Sequence, residues 1–259
     1  MPLYSRCIGE GSPVVLLHGL FGAGNNLGAL ARHLQQDYTA CMLDLPSHGR
    51  SAWLERTDLD AMAQAVIEWL ESQDKREVHL IGHSLGGKVA MQAALARPEY
   101  VRSLVVADIA PAAYPARHQA VFAALRAVAE AQCASRDEAQ AVMDQHLEEP
   151  DTIAFLLTSL QRDGSGQYNW RFDREGLERD YPALIGEVAT ATTYTGPTLF
   201  IKGAQSDYIQ ESHWPDITAR FPAAQIRVLA DTGHWLHAQK PQLFNTTVAR
   251  FLAAASTPR

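Results

Sequence analysis

The chain has 259 residues, 47% of them hydrophobic, and a formal net charge of −7. That length suits one sizeable domain, or a core domain carrying an insertion. The acidic balance argues against binding a phosphate backbone, so no nucleic-acid partner is expected.

The first residues, Met1-Pro2-Leu3-Tyr4-Ser5-Arg6, lack a basic region followed by an apolar core, so no signal peptide is expected. Val14-Val15-Leu16-Leu17 reads as a buried strand. The uncharged stretch Gly11 to Ala31 contains His18, Asn25, Asn26 and several glycines, and reads as strand, loop and helix start rather than a membrane span. Leu27, Leu30, Ala31 and Leu34 follow at helical spacing, and Ala40-Cys41-Met42-Leu43 is the next strand. The cysteines Cys7, Cys41 and Cys133 are odd in number and scattered, without metal-type spacing. Cys41 therefore reads as a buried core thiol, and the expected compartment is reducing and cytoplasmic.

Leu59, Met62, Ala63, Val66, Ile67 and Leu70 form an i, i+3, i+4 stripe on a helix opened by Thr57 or Asp58. Val78 to Ile81 is a third core strand. A small-residue helical stretch, Gly87 to Ala94, and the strand Leu104 to Ala107 come next. Such alternation predicts an α/β fold with a parallel sheet covered by helices on both faces. After Pro111 the strand signal stops until Thr198-Leu199-Phe200-Ile201. The segment 112–190 is alanine-rich and helical in pattern, and we read it as a cap over the carboxyl edge of the sheet. That division gives a core of 1–111 and 191–259. The sheet resumes at Leu199, adds Ile226 to Leu229, and closes with a helix bearing Phe244, Val248, Phe251 and Leu252.

The chemistry centres on Gly82-His83-Ser84-Leu85-Gly86, set between a strand and a helix. Gly-x-Ser-x-Gly in that setting is a nucleophile elbow, a turn so tight that glycine must flank it. It aims a helix N-terminus at the serine, where positive potential favours an oxyanion. A serine hydroxyl needs a base, usually a histidine oriented by a carboxylate. His234, in Asp231-Thr232-Gly233-His234-Trp235 after the last strand, is the candidate base, with His237 the weaker choice. Two aspartates at strand ends could supply the acid, Asp108 and Asp207. Asp207 precedes Gln210 by three residues and looks like the cap of a helix beginning near Tyr208, which favours Asp108. The oxyanion hole takes one N–H from Leu85 and another from Leu20 or Phe21 in the loop His18 to Gly24. His18, His48 and His83 read as loop-ordering residues. No histidine pairing suggests a metal, and no glycine loop suggests a nucleotide, so no cofactor is expected.

These motifs together resemble the α/β-hydrolase superfamily: His18-Gly19, Asp44-x-x-x-His48-Gly49-x-Ser51, Gly82 to Gly87, and Gly233-His234-Trp235. More narrowly, His18 to Gly22 with Asn26-Leu27-Gly28, Gly86-Gly87-Lys88 and Asp108-Ile109-Ala110-Pro111 resemble the YbfF-type bacterial esterases. That resemblance implies a cytoplasmic hydrolase of acyl esters, including acyl-CoA thioesters. It also implies Asp108 as the acid, because the superfamily's usual acid position, the third residue beyond Gly203, is Ser206 here. The expected enzyme is a cofactor-independent serine esterase or thioesterase, monomeric or homodimeric. Carbon–carbon bond hydrolysis, lactone opening or perhydrolysis by the same residues, and a non-catalytic binding module on this scaffold, are the other readings.

Overall fold

Strands without polar alternation need cover on both faces, and the chain supplies it. The structure is a computed structural model and describes residues 3–164, 166–188 and 192–256. The core opens with β1 (Ser5–Ile8), β2 (Ser12–Leu17), α1 (Gly28–Leu34), β3 (Tyr38–Leu43) and α2 (Leu59–Ser72). It continues with β4 (Val78–His83), α3 (Leu85–Ala96) and β5 (Val101–Ala107). An inserted stretch follows, with α4 (Gln119–Ala131), α5 (Arg136–Met143), α6 (Pro150–Leu157), β6 (Leu160–Arg162), β7 (Tyr168–Trp170) and α7 (Arg174–Leu184). The core resumes with β8 (Thr198–Gly203), α8 (Trp214–Arg220), β9 (Ala224–Leu229), α9 (Leu236–Gln239) and α10 (Pro241–Ser256).

The main sheet has the order β1-β3-β2-β4-β5-β8-β9, with every pairing parallel except β1 against β3. Alternate side chains of each strand enter two separate cores. Val14, Leu16, Ile81 and Val105 pack with Leu30 and Leu34 of α1 and Phe244 and Val248 of α10. Val15, Leu17, Leu80 and Val106 face α2 and α3 on the other side. This double burial is why the strands read as unbroken apolar runs. Asp58 caps α2, its carboxylate accepting from Ala61 N at 2.8 Å, so of the two expected openings it is Asp58 that serves. Among the described residues no helix is long and apolar enough to cross a membrane.

Two expectations need correction, and one strand was not foreseen. The strand signal does not simply stop after Pro111, because β6 and β7 form an antiparallel hairpin within the insertion, pairing Leu160 with Trp170. β1 adds an edge strand that carries no apolar run. Cys41, although buried, is no free thiol: it is disulfide-bonded to Cys7, directly opposite in the β1–β3 register. Cys133 alone is free. Cysteine usage therefore gives no argument for a reducing compartment. The far boundary expected at 190/191 lies outside the described residues.

Candidate active site

The elbow's glycines are dictated by contact. A Cβ on Gly82 would sit 2.1 Å from Gly86 O, and one on Gly86 would sit 2.3 Å from Leu17 O. Ser84, between them, holds φ 52° and ψ −119°, a left-handed conformation costly for a side-chain-bearing residue. The turn is retained because β4 and α3 pack too closely for any wider one. It lifts Ser84 to the carboxyl end of the sheet, at the N-terminus of α3.

Ser84 Oγ lies 3.0 Å from His234 Nε2, and His234 Nδ1 lies 2.8 Å from Asp108 Oδ2. The consistent proton arrangement has the serine hydroxyl donating to Nε2 and Nδ1–H donating to the carboxylate. Asp108 is fully buried, at 0% exposure, directly after β5. Its carboxylate is also held from behind: Gly203 N donates to Oδ1 at 3.0 Å, and the Ser206 hydroxyl donates to Oδ2. Burying a polar carboxyl group is costly unless its oxygens are hydrogen-bonded in this way. Tyr208 stacks on the imidazole of His234, ring centroids 4.0 Å apart, and Trp235 follows the histidine directly.

The two aspartates thus part company. Asp207 makes an ion pair with Arg117 of the insertion at 2.6 Å and lies largely in solvent. It does not cap a helix at Tyr208, as its spacing to Gln210 suggested. Tyr208 N is taken by Ser206 Oγ at 3.3 Å, and the next helical turn begins only at Glu211.

The oxyanion alternatives also separate. Phe21 N–H donates to His48 Nε2 at 3.1 Å, so it is turned away from Ser84 and is no candidate donor. Leu20 N–H, like Leu85 N–H, has no protein acceptor among the described residues, and both residues line the pocket over Ser84. His48 Nδ1 in turn donates to Pro46 O at 2.9 Å, which fixes Nε2 as the acceptor. His18 bonds Leu45 N and Gly19 O, and His83 bonds the His234 carbonyl. These three imidazoles order loops, as expected, and burial keeps them neutral: His18 is pushed down to about 4 and His48 to about 3. His83 also lies well below its ordinary range through burial.

A cavity of about 300 Å³ opens above Ser84 and His234. Its walls are mostly apolar, with Ile109 from the core and Val121, Phe155, Leu156 and Leu184 from the insertion. The insertion also contacts the loop after β2 and the loop after β3 directly. Ser159 Oγ donates to Phe21 O at 2.7 Å, and the Phe21 ring packs edge-on against Phe122. Asp173 N donates to Ser47 O at 2.9 Å, and Gly49 N to Arg171 O at 2.5 Å.

Residues 14–247 match the model of the alpha/beta hydrolase family. The chain belongs to that family. It is 40% identical to esterase YbfF of Escherichia coli (strain K12) over 93% of both chains. It is 36% identical to the sn-1-specific diacylglycerol lipase ABHD11 of Danio rerio, covering 94% of this chain and 79% of the lipase. A solved structure described as a marine microorganism esterase superposes with a TM-score of 0.92 at 33% identity, covering 96% of this chain and 98% of that one. The α/β-hydrolase fold is that expected from the motifs.

Ser206, Tyr208 and the Ser159–Phe21 contact were beyond sequence reasoning. Ser206 had a signal, as the residue standing where the superfamily usually carries its acid. Its hydroxyl points at Asp108, so the two positions still serve one imidazole from neighbouring strands.

Proposed function

We propose that this chain is an ester-bond hydrolase of the esterase and lipase type, acting through an acyl-enzyme on Ser84. The observation that carries the reading is the unbroken hydrogen-bond series Ser84–His234–Asp108 at the floor of an apolar pocket. The relatives named as an esterase and a diacylglycerol lipase, and the structural neighbour named as an esterase, support it.

In this mechanism Ser84 Oγ attacks the acyl carbonyl while His234 Nε2 takes its proton. Asp108 holds the imidazole in the required tautomer and stabilises the imidazolium that forms. The carbonyl oxygen becomes an oxyanion between Leu85 N–H and Leu20 N–H, assisted by the positive end of α3. His234 passes its proton to the leaving alcohol, or to the thiol of a thioester. Water then attacks the acyl-enzyme with the same base, freeing the acid and restoring Ser84. The segment 112–190 acts as a cap that walls the acyl site, and a pocket of about 300 Å³ is at the small end of ligand sites. Acyl groups of short to medium length are the substrates it fits.

Turnover of p-nitrophenyl esters of increasing acyl length, repeated with acyl-CoA thioesters, tests the reading. Activity is expected on esters, with Ser84→Ala inactive and unlabelled by an organophosphate that labels the native serine. A native protein that resists the reagent and turns over none of these substrates would sink the proposal.

A further inference from the structure

α3 begins at the elbow with small and apolar residues, yet one turn into it stands Lys88, 2% exposed, on the pocket wall. Burying an ammonium is costly unless its donors are satisfied. Here the acceptors are main-chain carbonyls. Nζ donates to Ala112 O at 2.7 Å, to Ile185 O at 3.4 Å and to Gly186 O. Ala112 lies where the chain leaves the core for the insertion, and Ile185 and Gly186 lie where it returns. The two crossings are also laced to each other, Tyr114 N donating to Ile185 O at 2.9 Å and Val188 N to Pro111 O at 2.8 Å. Those amide bonds join crossing to crossing; farther along the return, Thr192 Oγ1 donates to Leu95 O of α3 at 2.8 Å, remote from the crossings themselves.

We propose that Lys88 is a positioning residue, a tie from the nucleophile's own helix that reaches both crossings at once and so sets the insertion over Ser84. The path to the chemistry is short. The ammonium sits 4.9 Å from the centroid of the Tyr114 ring, and the Tyr114 hydroxyl accepts from Ala110 N at 2.8 Å and donates to Tyr208 O at 2.5 Å. Tyr208 is the ring stacked on His234. Loosening Lys88 therefore frees one pocket wall and the aromatic support of the base together. An apolar side chain would fill the same space without this tie, so packing alone gives the lysine no role.

The variant Lys88→Met separates the two accounts. Amide exchange at Tyr114 and Val188 is expected to accelerate at least tenfold, and KM for a medium-chain p-nitrophenyl ester to rise by more than kcat falls. Unchanged protection of both amides with unchanged KM would overturn the proposal. Should Lys88→Met fail to fold, the native protein decides. Burial lowers the Lys88 pKa to about 7, against the opposing pull of Glu187 on the return crossing. Tyr114, the ionisable group facing it from the outgoing crossing, is pushed upward by burial and stays neutral. Protection of the two amides, corrected for intrinsic exchange, should then fall between pH 6 and 8.5, and equal protection at both would refute the tie. The kinetic arm rests on the ester-hydrolase reading. The exchange arm does not, so an inactive native enzyme would count against that reading alone.

Discussion

At Asp108 three donors converge on two carboxylate oxygens, and each has a different expected cost of removal. Asp108→Asn presents an amide where His234 needs an acceptor, so kcat is expected to fall about 10⁴-fold. Ser206→Ala removes one hydrogen bond to a charged group, worth roughly 1.5–3 kcal/mol, and should cost about tenfold to a hundredfold. Asp207→Asn breaks only an exposed ion pair with Arg117, worth at most about 1 kcal/mol, and should leave the rate within about threefold of native. Parallel kinetics on one short p-nitrophenyl ester check the ranking. A collapse of Asp207→Asn with an intact Asp108→Asn would reverse the assignment. His48 supplies a second test at this scale. Its Nε2 is the acceptor for Phe21 N–H, so His48→Ala leaves a buried donor unpaired beside the oxyanion loop. The expected outcome is about a tenfold loss in kcat and a destabilisation of about 1–3 kcal/mol, read from a urea midpoint.

The β1–β3 pair is the element whose stability can be tested most cleanly. Its disulfide closes a sequence separation of 34 residues. On the chain-entropy account, a loop of that size contributes about 3–4 kcal/mol. Reduction should lower the melting temperature by roughly ten degrees. Thiol titration of the unfolded, unreduced chain should find Cys133 alone. Identical melting with and without reductant would contradict the bridge. Sequence reading recovered the inner parallel strands because both faces are buried, and it recovered the elbow because glycine has no substitute there. It missed β1, since Ser5–Ile8 covers an edge and carries no apolar run. The β6–β7 hairpin was hidden because its three-residue strands are too short to show a period. The disulfide depends on strand register, which no local pattern reveals. The choice between Leu20 and Phe21 likewise depended on where a histidine 27 residues away pointed its ring.

For the molecule as a whole, its buried imidazoles set the acid limit. Burial lowers His79, His118 and His237 to about 4, as it lowers His18 to about 4 and His48 to about 3, with His83 also depressed. In the unfolded chain these rings take up protons near pH 6.5. Below that pH the unfolded state binds more protons than the folded one, so stability falls as pH drops from about 6.5 toward 4. Each ring adds up to about 1.4 kcal/mol per pH unit over that window. Urea midpoints at pH 7.5, 6 and 5 should therefore decline steeply, and a flat series would show that these rings are not held neutral. The Ser159–Phe21 hydrogen bond carries a different consequence. The core alone holds Ser84, His234 and Asp108, so a shortened chain lacking the insertion would keep the proposed catalytic residues in its sequence. It would lose the hydroxyl that pins the oxyanion loop's carbonyl and the Phe122 ring packed against Phe21. The two parts are therefore not interchangeable modules: grafting a different insertion onto this core would mean rebuilding the loop from which the proposed oxyanion donor comes.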